Sequence, residues 1–156
     1  MHYRSNDEYI ISERKKVDCM VYVTRRAHFS ASHRLFNPNF SDAENERVFD
    51  KCNNPNGHGH NYYLEVTVAG NPHPETGYVI DLKVLKKIIY DHFVVKVDHK
   101  NLNLDVPFLH GKIPTAENIV IAAWDQLRPH IKDGTLISIK LYETENNFFE
   151  YRGERQ

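Results

Sequence analysis

An α+β fold built on an antiparallel sheet is the class this sequence predicts, and three observations predict it. Two long stretches near the start alternate apolar and polar residues with period two. Two amphipathic stretches of helical period occupy the middle. Two shorter alternating stretches close the chain. A parallel α/β array interleaves strand and helix, whereas this chain groups its strands on either side of its helices. The length of 156 residues suits one domain with one core.

Residues 1–19 are polar and charged without sustained periodicity, so they read as a mobile N-terminal extension, and residues 20–156 as a single domain. "MVYVTRRAHFSASHRL" opens that domain as a long strand. Val21, Val23, Arg25, Ala27, Phe29, Ala31 and His33 share one face, and Tyr22 to Ser32 alternate on the other. In "SDAENERVF", Ser41 and Glu44 have capping-box spacing, which predicts a short helix. "HNYYLEVTVAG" is a second strand with His60, Tyr62, Leu64, Val66 and Val68 on one face. "GNPHPETG" is a turn, and "YVID" after it reads as a short returning strand. "DLKVLKKIIYDHFVVKV" places Leu82, Leu85, Ile89, His92 and Phe93 near one helical face. "DHKNLNLDVPFLHGKIP" has no long period and reads as a loop. "TAENIVIAAWDQLRPHI" is a second helix with Thr115 as N-cap. "LISIKLYET" and "FFEYRGE" form a closing hairpin across "ENN".

A net charge of −1 argues against a global nucleic-acid surface. No stretch is long and apolar enough for a membrane span, and the first residues lack the apolar core of a signal peptide. Cys19 and Cys52 are too few for a disulfide framework, so a soluble protein of a reducing, cytoplasmic compartment is expected. Ten histidines are many for this length, and they point to the chemistry.

In "CNNPNGHGHNY" His58 and His60 stand two apart, and on a strand both rings point to one face. A catalytic zinc needs a third protein ligand and an open fourth position. His33, at the end of the first strand, is the best supplier, and Ser32 and Arg34 beside it suggest a polar pocket. Cys52 has three readings from spacing alone: a small buried residue, a fourth ligand, or a thiolate base. The absence of any Cys-x-x-Cys counts against a zinc finger. Asp98 precedes His99, so it is either a carboxylate that orients an imidazole or half of a surface pair. Glu143 ends an apolar strand, where a carboxylate either meets solvent or accepts two N–H donors of an amidine-like group.

"FSASHRL", "KCNNPNGHGHNY", "DHKNLN", "PTAENI" and "LYETENN", in that order, resemble the 6-pyruvoyl-tetrahydropterin synthase family and its 6-carboxytetrahydropterin synthase relatives of queuosine biosynthesis. The resemblance runs from about Met20 to Glu154. It implies a T-fold, an antiparallel four-stranded sheet with two helices on one face, three copies of which close a β-barrel and six of which stack as a homohexamer, a dimer of trimers. It implies Zn2+ on His33, His58 and His60, with Cys52 as catalytic thiol rather than ligand. It implies Asp98 and His99 as a proton relay, and Glu143, Thr115 and Glu117 as substrate contacts. Ala116 stands where animal members carry threonine. The implied reaction converts a small-molecule pterin, 7,8-dihydroneopterin triphosphate, to 6-pyruvoyl-tetrahydropterin with loss of triphosphate. Arg25, Arg26 and Lys51 are the cations available for that triphosphate. Five residues separate Cys52 from His58, as in the pyruvoyl type. The alternatives are a 6-carboxytetrahydropterin synthase on the same substrate, and a non-catalytic T-fold binding protein with a structural zinc.

Overall fold

A computed structural model describes residues 19–154, so the N-terminal extension expected over residues 1–19 lies, apart from Cys19, outside the described residues. Strands β1 (Val21–His33), β2 (His58–Gly70), β4 (Thr135–Tyr142) and β5 (Phe148–Tyr151) form the antiparallel sheet that the sequence predicts. A two-residue strand, β3 (Lys100–Asn101), adds to the far side of β1 in parallel, which makes the order β3-β1-β2-β4-β5.

The period-two reading of β1 and β2 holds along most of both strands and fails at their far end, where Val21 is exposed and Ala69 is buried. Phe29, Ala31 and His33 of β1 and Tyr62, Leu64, Val66 and Val68 of β2 are buried. The other face stays open: Tyr22, Arg26, His28 and Tyr63 are exposed. The two strands pair over their whole length, ending with His33 opposite His58. β4 joins the other edge of β2, with an irregularity between Thr67 and Val68. That shift brings Leu136 onto the same buried side as Ile139 and Leu141, which strict alternation would forbid.

The helices after β2 cover the buried face. α1 (Asp42–Phe49), which lies outside the core, starts with the predicted capping box: Ser41 Oγ accepts from Glu44 N, and Glu44 Oε2 accepts from Ser41 N. α2 (Leu82–Ile89) runs into a π turn at Tyr90–Val94 and a last helical turn, α3 (Val95–Val97). α4 (Ala116–Leu127) begins at Thr115, whose Oγ1 accepts from Asn118 N at 3.4 Å. Leu85, Ile89, Phe93, Val97, Ile119, Ala123 and Leu127 join the strand residues in one core.

Three expectations need correction. "YVID" is not a strand: both edges of β2 are already taken by β1 and β4, so Tyr78–Asp81 has no ladder to join. Tyr78 O instead accepts from His73 N within its own loop. The "DHKNLNL" loop contains β3, too short for any period to show. Leu82 and His92 do not share the buried stripe. Leu82 is exposed, and the π turn advances the helix so that Phe93 and Val94 turn inward while His92 stacks on His130.

Phe29 lies at the centre of the core, stacked on Tyr62 at 4.8 Å and edge-on to Phe93 at 5.6 Å. Phe29→Ala is expected to cost about 3–5 kcal/mol, read as a lower urea midpoint at unchanged m-value.

Candidate metal centre and active site

The paired ends of β1 and β2 build the centre. Register puts His33 opposite His58, and alternation puts His60 on the same face. One nitrogen from each ring lies within 4.8 Å of the other two. His33 Nε2 and His58 Nε2 are 3.0 Å apart. His33 is the anchor: it is 1% exposed, and its Nδ1–H donates to Pro114 O at 2.7 Å. A carbonyl only accepts, so this bond fixes the tautomer and leaves the Nε2 lone pair facing the other two rings. His60 Nε2 and His58 Nδ1 are buried without a hydrogen-bond partner. A buried imidazole nitrogen with no partner is costly unless a cation takes its lone pair. The three histidines are therefore suited to hold a metal ion.

Charge agrees with geometry. Burial lowers His33 to a pKa of about 4, and the neighbouring His58 and His60 push the same way against the Pro114 bond. Burial also lowers His60, against the pull of Glu143. Neutral imidazoles are the form a metal binds. In the metal-free chain this depressed pKa links stability to pH. Between about 4 and the ordinary 6.5 the unfolded chain binds a proton that folded His33 does not. The contribution of His33 is thus fully present above about pH 6.5 and lost as pH falls towards 4. It amounts to about 3 kcal/mol, expected as a falling denaturation midpoint in metal-free protein over that window.

Glu143 follows β4, and its Oε1 lies 3.7 Å from both His33 Nε2 and His60 Nε2. The carboxylate thus borders the triad and also lines a cleft of about 470 Å³ with Arg26, Asn61, Tyr63 and Tyr142. Of the three candidate cations, Arg26 shares this cleft. Its guanidinium lies 4.2 Å above the Tyr63 ring and 3.7 Å from Glu65. Lys51 lines a different cleft, among Asp42, Glu46 and Asp50.

Cys52 sits half-buried in a 3-10 turn, Asp50–Asn53, outside the metal-ligand set. Its carbonyl accepts from Leu35 N at 2.8 Å, which ties the turn to the chain just after His33. Burial raises the thiol pKa, and the carboxylates of Glu143 and Asp50 raise it further. A cation on the histidines is the charge that would oppose them.

Asp98 and His99 do pair, with Nδ1–H donating to Oδ2 at 2.9 Å. Adjacent side chains in an extended strand point apart, but His99 takes a left-handed φ of 57° that turns its ring back. Asp98 Oδ1 accepts from Ser30 N at 2.9 Å, and Ser30 O accepts from His99 N. Burial raises the Asp98 pKa, but these bonds outweigh it and hold the carboxyl below its usual range. The ring is exposed and lines a cleft with Ser30, Ser32, His60, Asn61 and Asn101. Ser30, Ser32 and Asn61 belong to the sheet face opposite the triad. His99 thus shares a cleft wall with His60 but stands outside the cluster of converging ring nitrogens of His33, His58 and His60, and Ser32 contributes to this cleft rather than to the metal pocket.

Thr115 caps α4, and the adjacent Pro114 carbonyl holds His33, so the first turn of α4 lies beside the triad. Glu117 is exposed on that turn, while Ala116 is buried in the core. Sequence reasoning missed the polar contacts that join these parts. Arg34 binds Asn53, and Asn103 binds the Arg34 backbone. Their only signal was the abundance of Asn in "KCNNPNG" and "DHKNLNL".

Known proteins share this architecture and these segments. The family model for 6-pyruvoyl tetrahydropterin synthase matches residues 22–154. The 6-pyruvoyl tetrahydrobiopterin synthase of Homo sapiens is 48% identical over 136 residues, covering 87% of this chain and 94% of the relative. The 6-carboxy-5,6,7,8-tetrahydropterin synthase of Rickettsia typhi is 32% identical over 149 residues, covering 84% and 99%. The solved structure of Caenorhabditis elegans 6-pyruvoyl tetrahydropterin synthase superposes with a TM-score of 0.83 at 40% identity, covering 86% of this chain and 96% of that one.

Proposed function

The chain belongs to the 6-pyruvoyl tetrahydropterin synthase family, and on that premise we propose that it is a zinc-dependent carbon–oxygen lyase that converts 7,8-dihydroneopterin triphosphate to 6-pyruvoyl-tetrahydropterin and triphosphate. The observation that carries the proposal is the convergence of His33, His58 and His60, with His60 Nε2 buried and unpartnered. Three neutral nitrogens with a fourth position free suit Zn2+ in a catalytic rather than structural role. Bound there, zinc would supply Lewis acidity to the substrate's side-chain hydroxyls and to the protons beside them.

The protein's own groups do the rest. Cys52, as thiolate, takes a proton from the substrate side chain. Glu143 accepts the amidine-like N–H edge of the pterin ring and fixes the reacting carbons near the triad. Thr115 and Glu117 line the approach at the first turn of α4. His99 moves the second proton through Nε2, because its Nδ1–H is held by Asp98.

Since Asp98–His99 lies at the edge of β1, outside the convergent nitrogens of the triad, we infer that it serves a site shared with another subunit. We therefore assign the chain to a homohexamer made of two barrel-forming trimers. Support comes from the open sheet: β5 has an unpaired edge, and Phe148, Tyr63 and Tyr22 are exposed. Light scattering of the purified protein checks the assembly. The domain begins at about residue 20. Among the described residues no helix is long and apolar enough to cross a membrane, and a cytoplasmic location is the proposal consistent with a pterin substrate.

The pyruvoyl product is favoured over the carboxy product by the higher identity to pyruvoyl-type relatives, 48% against 32%. The test is incubation of zinc-loaded protein with dihydroneopterin triphosphate and mass identification of the product. 6-Pyruvoyl-tetrahydropterin supports the proposal. The 6-carboxy compound would move the chain to the queuosine branch, and unchanged substrate would leave a zinc-binding T-fold without this chemistry.

A further inference from the structure

We propose that Arg34 is the positioning residue for the Cys52 sulfur, a role that rests on the reading of Cys52 as the base. Arg34 follows the anchor His33 directly and leaves the strand. Its Nε–H donates to Asn53 O and its Nη2–H to Asn53 Oδ1, both at 2.9 Å. The planar fork thus grips the backbone and the side chain of one residue, the neighbour of Cys52. Asn53 is 8% exposed, so the grip is shielded from water. The guanidinium carbon itself lies 4.3 Å from the centre of the Phe36 ring, over its face.

The other half of the clamp acts on the Arg34 backbone. Asn103 Oδ1 accepts from Arg34 N at 2.8 Å, and Asn103 Nδ2–H donates to Arg34 O at 2.9 Å. Asn103 N in turn donates to Asn101 Oδ1 in β3. One residue therefore joins the strand end that carries His33, the turn that carries Cys52 and the loop that begins with Asp98–His99. The Cys52 turn is otherwise short and polar, with Asn54 and Pro55 after it, and the Leu35–Cys52 backbone bond also ties it to the segment just after β1. Arg34 does not act by charge on the thiol: the charged groups that weigh on Cys52 are Glu143 and Asp50. It acts by placement, and a displacement of about 1 Å at a reacting atom can cost about 10²-fold in rate.

The experiment uses full-length zinc-loaded protein in a Cys19→Ser background, so that Cys52 is the only thiol. It reads kcat, KM, zinc content and the rate of Cys52 alkylation by iodoacetamide. Arg34→Gln and Arg34→Lys are both expected to lower kcat by about 10²-fold, to keep KM within about threefold and zinc at a full equivalent, and to change the alkylation rate by more than about fivefold. Lysine keeps the charge but lacks the fork, so its failure to rescue is the mark of placement. Rescue by Arg34→Lys, or wild-type kcat and alkylation in Arg34→Gln, overturns the proposal. If the Arg34 variants lose zinc or fold, Asn53→Ala decides: it removes the Oδ1 acceptor alone, and unchanged kcat and alkylation overturn the proposal, whereas about a tenfold loss of kcat supports it. Turnover retained in Cys52→Ala would instead sink the reading of Cys52 as base, and the alkylation rate alone would then decide the role of Arg34.

Discussion

Cys52→Ala is expected to hold a full equivalent of zinc and to lose at least about 10³-fold in kcat, the upper part of the range for removal of a positioned proton-transfer group. The thiol lies outside the ligand set, so the three histidines keep their geometry without it. It is half-buried in a polar turn, so truncation leaves no large apolar void and the fold should melt within a few degrees of wild type. Metal analysis beside steady-state kinetics separates the alternatives. Loss of zinc together with activity would make Cys52 a ligand and return the centre to a structural reading. Turnover retained would remove the thiol from the mechanism.

His58→Ala is expected to weaken zinc binding by more than about 100-fold, beyond what loss of an outer-shell partner costs, and to abolish turnover with it. Two nitrogens remain, one of them the His33 Nε2 that faced His58 at 3.0 Å. The apo fold should survive, because His58 is only partly buried at the end of β2, while the core begins at Tyr62 and Ala31. His28→Ala is the control: its ring lies on the other sheet face, and metal content should stay at one equivalent. Dialysis against a buffered zinc series followed by metal analysis measures both. A full equivalent retained by His58→Ala at wild-type affinity would rule out the three-histidine centre.

The triad was the most legible part of the site. His58 and His60 are two apart, and a strand turns such a pair to one face whatever lies around it. His33 needed one more step, the pairing of β1 with β2, and the long alternation of both strands made that pairing the simple choice. The Ser41–Glu44 box and the Thr115 cap were equally readable, since each is a bond between residues three apart. Less was legible where a residue's partner is distant. The His99 ring turns back onto Asp98 only because the backbone there is left-handed, with both residues tied to Ser30, 68 and 69 residues away. "YVID" has the composition of a strand and lacks only a free edge on β2, the strand before it, and edges are a property of the whole sheet. The π turn at Tyr90–Val94 breaks the period from which the burial of His92 was inferred, and Leu82 is exposed at the first position of α2.

What the sequence determined by itself was the local geometry of its elements: which strand face is apolar, where helices begin, and that two imidazoles point the same way. These follow from backbone periodicity and short-range hydrogen bonds, both of which act within a few residues. Tertiary structure alone decided which distant groups meet. It placed Glu143 against the triad, tied Asp98–His99 to the edge of β1, and held the Cys52 turn by a guanidinium from the end of another strand. Those choices depend on register and on contacts between segments far apart in the chain, which no local period encodes.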